Sequence, residues 1–326
     1  MCTTDSNTEF GSLPYYDWND TPAATASFCN GRTWVQVISE WQGIPYDEGK
    51  NDSFFGHDSD ELLDSLLGFT APADVDTALF VVWVNNADLV VWLNDPNLSD
   101  YVEAEWQAVI DDAVDAHESA INSLYADGVR ELVLPLAVDI TRLPAFSGVT
   151  AKAFVKEQVG YYNSELQARF DALAASNPDL RLSVVDTFAF LEDVVANPAA
   201  YGVTNVVDNA IFALGAPPLD GPGNTYLFWD FWHPTALVQM HIADLIQQQI
   251  SPPRIRHVEK TGGGFDLTLE NVPVGRDGHI SGSSNLVDWF NDQAVTSTST
   301  TQVESVTSAD SSRFFRADFP FSWTWP

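Results

Sequence analysis

The stretch CTTDSNTEFG, Cys2 to Gly11, sets Ser6 between Asp5 and Asn7, and YLFWDFWHPTALVQMHIADLI, Tyr226 to Ile246, sets Asp230 three residues ahead of His233. A serine hydroxyl becomes a nucleophile when an imidazole takes its proton, and a carboxylate must first fix the tautomer and orientation of that imidazole. Ser6, His233 and Asp230 supply these three groups. D-x-x-H alone is a weak signal, more often structural than catalytic, and it gains force only with a serine at a strand tip elsewhere. Pro234 is placed to open a helix just after His233. Acyl transfer also requires hydrogen-bond donors aimed at the developing oxyanion. NDSFFGHDSDELLDSL offers Gly56 in a turn before a helix, and VVWVNNADLV offers Asn85 and Asn86 at the exit of the most apolar strand.

The elements that must position these groups alternate from residue 34 to about 250. TWVQVISEWQ has helical spacing, ALFVVWV is a continuous apolar strand, and YVEAEWQAVIDDAVDAHESAINSLYADG is a long amphipathic helix closed by Gly128. ELVLPLAV reads as the next strand, AKAFVKEQVGYYNSELQARFDALAAS as a helix ended by NPD, and LRLSVVDT as a further strand. Strands separated by helices of this length imply a parallel sheet covered on both faces. The pattern changes at SPPRIRHVEKTGGG, with Pro252 and Pro253 at the border; beyond it, short β-like runs broken by Gly, Asn and Asp read as a small β-sandwich. The expected organisation is a catalytic domain over 1–250, a linker over 251–264 and a β-rich domain over 265–326.

Composition narrows the chemistry further. The chain carries 46 acidic against 14 basic residues, a net charge of −32, and its lysines are Lys50, Lys152, Lys156 and Lys260 alone. Such a field repels phosphate backbones, so nucleic acid is not expected as a partner; it suits a saline or marine setting or is simply a solvated surface. No apolar run approaches the roughly 18 residues that cross a bilayer. Cys2 and Cys29 fit neither a disulfide scaffold nor a zinc site; they pair with each other or stand as two buried thiols. HExxH, the Walker A loop and GxGxxG are absent, so neither a metal nor a nucleotide cofactor is expected. Met1 precedes the serine motif too closely for a feeding strand of about five residues, and the expectation is a native start that was trimmed or misassigned.

In order along the chain, these segments resemble the GDSL-type esterases and lipases, or SGNH hydrolases, in the subgroup of thermolabile haemolysins and related acylhydrolases. TDSNT matches the nucleophile block, and FCNGRTWVQVISEWQG resembles the segment after it. NDSFFGHDSDELL matches the block whose glycine serves the oxyanion hole, and ALFVVWVNNADL the block ending in G-x-N-D. LVLPLAVDITRLPAF and NPAAYGVTNVVDNA resemble later segments, and YLFWDFWHPT the D-x-x-H block. The resemblance covers Cys2 to about Ile250. It implies a three-layer α/β/α fold with a central parallel sheet, Ser6 as nucleophile, His233 as general base and then acid, and Asp230 as its orienter. It also implies an oxyanion hole from the Ser6 amide, the Gly56 amide and an asparagine side chain, and no cofactor. The implied activity is hydrolysis of short to medium acyl esters. Phospholipase or lysophospholipase action and sugar-ester deacetylation are the nearest alternatives, and a degenerate fold kept as a binding module is the non-enzymatic one. A small-molecule or lipid ester is the expected partner, a membrane only as substrate, and the expected location is secreted or cell-surface.

Two positions depart from the family pattern. Thr4 stands where the nucleophile block has glycine, and Ala87, which has no side-chain donor, stands on the oxyanion asparagine in an ungapped match. Either Asn86 replaces it after a one-residue shift or Asn85 reaches in from the glycine position; Asn86 is favoured. Asp88 keeps the family's aspartate and is expected to brace the loop. Trp229, Phe231 and Trp232 flank the acid–base pair and either line an acyl pocket or pack as core. WNDTPAATASF, Trp18 to Phe28, reads as a surface loop or a lid. His57 is expected to cap its loop, His117 and His241 to sit on helices, and His257 and His279 in the linker and β-domain. The C-terminal segments resemble modules on secreted bacterial enzymes.

Overall fold

The computed structural model describes residues 16–17, 26–54, 56–310, 312–323 and 325. They fall into two compact units, one holding the described residues up to Arg32 together with Gly49–Val238, the other Thr33–Glu48 together with Gln239–Trp325.

In chain order the elements begin with β1 (Tyr16–Asp17), antiparallel to β2 (Ala26–Ser27), then α1 (Trp34–Trp41), which belongs to the second unit. The first unit continues with α2 (Ser59–Leu66), β3 (Leu79–Val81), α3 (Asn85–Asn94), α4 (Glu103–Ala126), β4 (Glu131–Pro135), α5 (Lys152–Ser176) and β5 (Arg181–Val185). It ends with α6 (Thr187–Ala196), β6 (Asn205–Asn209), the single turn α7 (Ala210–Ala213) and β7 (Tyr226–Phe228); α8 (Ala236–Ile250) follows. β3, β4 and β5 form a parallel sheet in that order, with Leu79 opposite Glu131 and Glu131 opposite Arg181, and β6 and β7 form a second parallel pair.

Local chemistry explains these elements. Leu132, Val133, Leu134 and Pro135 are all buried, as a central parallel strand covered on both faces demands. α4 buries Trp106, Ile110, Ala113, His117, Ala120, Ile121 and Leu124, a stripe at three- and four-residue spacing. Gly128 ends it: at φ +104 its N–H bonds the Tyr125 carbonyl at 3.1 Å, and the Val129 N–H bonds the Leu124 carbonyl at 3.0 Å. These are the two bonds of a Schellman cap, which favours glycine at that φ. α5 supplies Val155, Val159, Tyr162, Leu166, Phe170 and Leu173 in the same way. The apolar run ALFVVWV gives a regular strand only over Leu79–Val81, although the Val82 N–H still bonds the Val133 carbonyl at 3.1 Å.

The second unit contains β8 (Arg254–Lys260), β9 (Gly264–Glu270), β10 (Asp277–Ser283), β11 (Phe290–Thr296), β12 (Thr301–Thr307) and β13 (Phe314–Asp318). They form two antiparallel three-stranded sheets, β12-β9-β8 and β11-β10-β13. Phe265, Leu267 and Leu269 of β9 alternate with polar residues and join Val272, Ile280, Val295, Val306 and Phe319 in one apolar cluster.

Within 251–264, Arg254–Lys260 is a strand paired with β9. The second unit also takes in Thr33–Glu48 and the C-terminal part of α8. The Val274 N–H bonds the Trp41 carbonyl at 3.0 Å, and the buried Arg276 guanidinium lies 4.0 Å over the Trp41 ring while bonding Asp244 of α8. Gln42 bonds Gln247 in the same region. A buried arginine needs this partnering, and α1 and α8 provide it.

Candidate active site

The Asp230–His233 loop is a closed turn between β7 and α8. The Trp229 N–H bonds the His233 carbonyl at 2.8 Å, and the Thr235 N–H and hydroxyl bond the carbonyls of Leu227 (3.1 Å) and Tyr226 (2.7 Å). Asp230 turns its carboxylate back onto this loop, where Oδ1 accepts the Trp232 and His233 N–H groups, both at 2.7 Å. That leaves Oδ2 for the ring, and His233 Nδ1 lies 2.7 Å from it. The pair is buried, Asp230 at 4% and His233 at 1% exposure. Burial alone would raise the Asp230 carboxyl, but His233 and the two backbone donors outweigh it and hold it below the ordinary range. An ionised Asp230 therefore keeps the proton on Nδ1, so Nε2 is the basic nitrogen of the neutral ring. Phe28 stacks on the imidazole at 5.1 Å and 19°. The first N–H of α8, on Ala236, bonds the Asn30 side chain at 2.8 Å, an acceptor from far away in the sequence.

Gly56 sits in the turn before α2 at φ +84, a conformation that favours glycine. Asp58 caps α2 through the Asp60 and Glu61 N–H groups at 3.1 and 3.0 Å. His57 packs on Phe54 at 4.1 Å and meets the Ser65 hydroxyl at 3.2 Å through Nε2, and burial pushes its pKa down. Asn85 and Asn86 begin α3 and use their amides differently. Asn85 spends its Nδ2 on the Pro135 carbonyl at 2.9 Å, whereas Asn86 is held by its oxygen, which accepts the Val138 N–H at 2.9 Å. The anchored oxygen leaves the Asn86 Nδ2 as the donor end. Asp88 ties α2 to α3: Oδ1 accepts the Ser59 N–H (2.9 Å) and hydroxyl (2.7 Å), and Oδ2 accepts the Tyr162 hydroxyl at 2.7 Å. Burial raises the Asp88 carboxyl, against the pull of His117 and these donors, and burial together with Asp88 drives the Tyr162 phenol well up.

The three flanking aromatics part ways. Trp229 is fully buried against Ala210 and Ile211. Trp232 meets Phe146 edge-on at 5.2 Å and is partly buried. Phe231 is exposed and pairs with Phe212 of α7, a residue that no sequence signal singled out. The loop VDITRLPAF serves the site as well, since its Val138 holds Asn86 and the Ala145 N–H bonds the Phe231 carbonyl at 3.1 Å.

His117 is buried on α4 with Nδ1 2.9 Å from the Ala113 carbonyl, and His241 stacks on Phe321 at 3.8 Å. His257 lies on β8 and His279 on β10. Ser6, Thr4, Cys2 and residues 18–25 of the lid-like segment lie outside the described residues; Cys29 is buried. Among the described residues no cluster of His, Cys, Asp and Glu has the makings of a metal site, and no helix is long and apolar enough to cross a membrane.

A GDSL esterase/lipase of Arabidopsis thaliana is 25% identical over 71% of this chain and 73% of its own. Another from the same plant is 27% identical over 55% of this chain, which spans about half, 53%, of that relative. An acetylesterase of Thermothelomyces thermophilus is 25% identical over 54% of this chain and 53% of its own. Residues 5–246, which include the Gly56 turn, the Asn85–Asn86 pair and the Asp230–His233 loop, match the GDSL-like lipase/acylhydrolase family, and the chain belongs to that family.

Proposed function

We propose that the protein is a carboxylic ester hydrolase that works through a Ser6-His233-Asp230 triad, in a three-layer α/β/α domain followed by a small β-sandwich. The observation that carries this reading is the buried Asp230–His233 pair, with the carboxylate fixed by two backbone donors and bonded to Nδ1 at 2.7 Å. His233 Nε2 takes the Ser6 proton as the serine oxygen attacks the ester carbonyl. The Ser6 and Gly56 N–H groups and the Asn86 Nδ2 hold the resulting oxyanion. Collapse expels the alcohol, protonated by His233, and leaves an acyl-enzyme; water, deprotonated by His233, then releases the acid and restores Ser6.

Asn86 suits the oxyanion role better than Asn85 because its oxygen is already engaged by Val138, which aims the nitrogen, while the Asn85 nitrogen is engaged by Pro135. Family membership and the resemblance to an acetylesterase support ester hydrolysis. Hydrolysis of nitrophenyl esters by the purified chain, abolished in Ser6→Ala, is the expected result. A folded Ser6→Ala variant with unchanged rates would refute the triad, and an inactive wild type tested on simple esters, phospholipids and acetylated glycans would refute the activity.

A further inference from the structure

We propose that Phe212 and Phe231 form the acyl-chain site of this esterase, and that the preferred acyl group is a longer apolar chain, not acetyl. The inference rests on the ester-hydrolase reading above. Phe231 follows Asp230 directly, and its ring lies 4.7 Å from that of Phe212 at 34°. Both rings stand open to solvent, 55% for Phe212 and 39% for Phe231. Two touching aromatic rings left in water, one of them on the residue that follows Asp230, are the kind of apolar patch that a ligand covers.

The backbone holds this patch in register with the acid–base loop. α7 is capped by Asn209, whose side chain accepts the Phe212 N–H at 3.0 Å, and the Ile211 N–H bonds the Trp229 carbonyl at 3.0 Å. Behind it the Ala216 N–H bonds the Ile211 carbonyl at 2.7 Å, with Gly215 at φ +68 and Ala216 at φ +55. Within this turn Ala210 and Ile211 enter the core beside Trp229, while Phe212 and Leu214 face outward. The Phe231 carbonyl is fixed in turn by the Ala145 N–H. The backbone carrying both rings is thus held in place, and an acyl chain that covers them need not order it. The occupant is the acyl chain and not a polar alcohol, because neither ring brings a hydrogen-bonding group.

The test compares kcat/KM on nitrophenyl acetate and octanoate, both kept monomeric in solution, for wild type, Phe212→Ser, Phe231→Ser and Phe212→Leu, with thermal melts as the folding control. The octanoate-to-acetate ratio should fall about tenfold in each serine variant, the scale expected for a lost apolar contact, and stay near wild type in Phe212→Leu. A ratio within about twofold of wild type in the serine variants, with esters still hydrolysed, overturns the acyl-chain site alone. Absence of hydrolysis in the wild type overturns the activity and this inference together. A loss seen only when the ester is presented in phosphatidylcholine vesicles assigns the rings to a lipid surface and overturns the acyl-chain reading.

Discussion

Asp230→Asn is the sharpest perturbation of the proposed mechanism, because the structure separates what the substitution keeps from what it destroys. An asparagine oxygen can still accept the Trp232 and His233 N–H groups that now reach Oδ1, so the loop keeps its bonds. The group facing His233 Nδ1 becomes an NH2 donor. The ring must then carry its proton on Nε2, the nitrogen that has to accept the Ser6 proton. A tautomer reversal of this kind lowers kcat by about 10,000-fold, or about 5 kcal/mol of transition-state stabilisation. Stability should change far less: the lost bond to a charged acceptor contributes about 1.5–3 kcal/mol, part of which is offset by no longer burying a charge. Because the native Asp230 carboxyl lies below its unfolded value, its contribution is present above the ordinary carboxylate range and disappears as pH falls through the native value. The stability gap between wild type and variant should therefore close on acidification. Steady-state kinetics at neutral pH, with melting curves across the acid range, make the test. A folded Asp230→Asn enzyme within tenfold of wild-type kcat would refute the assignment of the pair as the acid–base device.

Other outcomes follow from specific contacts. Asn86→Ala should cut kcat by about 100- to 1000-fold with a nearly unchanged melting temperature, whereas Asn85→Ala, which strips the Pro135 carbonyl of its donor, should cost about 1–3 kcal/mol of stability; kinetics and melts on the two variants would show whether the roles are reversed. Ending the chain after Ile250 should speed amide exchange in α1 and the end of α8, since it removes Val274 and Arg276 from Trp41 and Asp244; exchange in these helices as slow as in the full chain would overturn this. Glu192, bonded by Arg142 and Lys156, is held down at about 2. Its contribution is present above the ordinary carboxylate range and is lost as pH falls through about 2, so Glu192→Gln should lower stability at neutral pH by about 1 kcal/mol or less, allowing for solvent screening. Melts at neutral pH and near pH 2 should show the gap and then its loss.

Much of the α/β pattern was legible because it is periodic. The stripe of α4 and its end at Gly128 follow from side-chain spacing and from glycine's tolerance of positive φ. The proximity of Asp230 and His233 was legible because they stand three residues apart. What escaped depends on contacts between distant residues. Arg276 reads as a surface charge until Trp41 and Asp244 are seen around it, so the β-strands looked like a separate appendage. Phe212 lies in a segment whose polar neighbours suggested an ordinary turn, and only its pairing with Phe231 marks it. The choice between Asn85 and Asn86 could not come from their identical side chains; it rests on which acceptor or donor, Pro135 or Val138, each one meets.

The near-complete burial of the Asp230–His233 pair also bears on how the protein answers to salt. With a net charge of −32, the surface repels itself, and dissolved ions relieve that strain by screening charges more than about 8–10 Å apart. A carboxylate at 4% exposure, bonded directly to its imidazole, lies beneath the reach of those ions. Ionic strength thus acts on the two in separate ways: added salt firms the fold while the field that polarises His233 stays as it was.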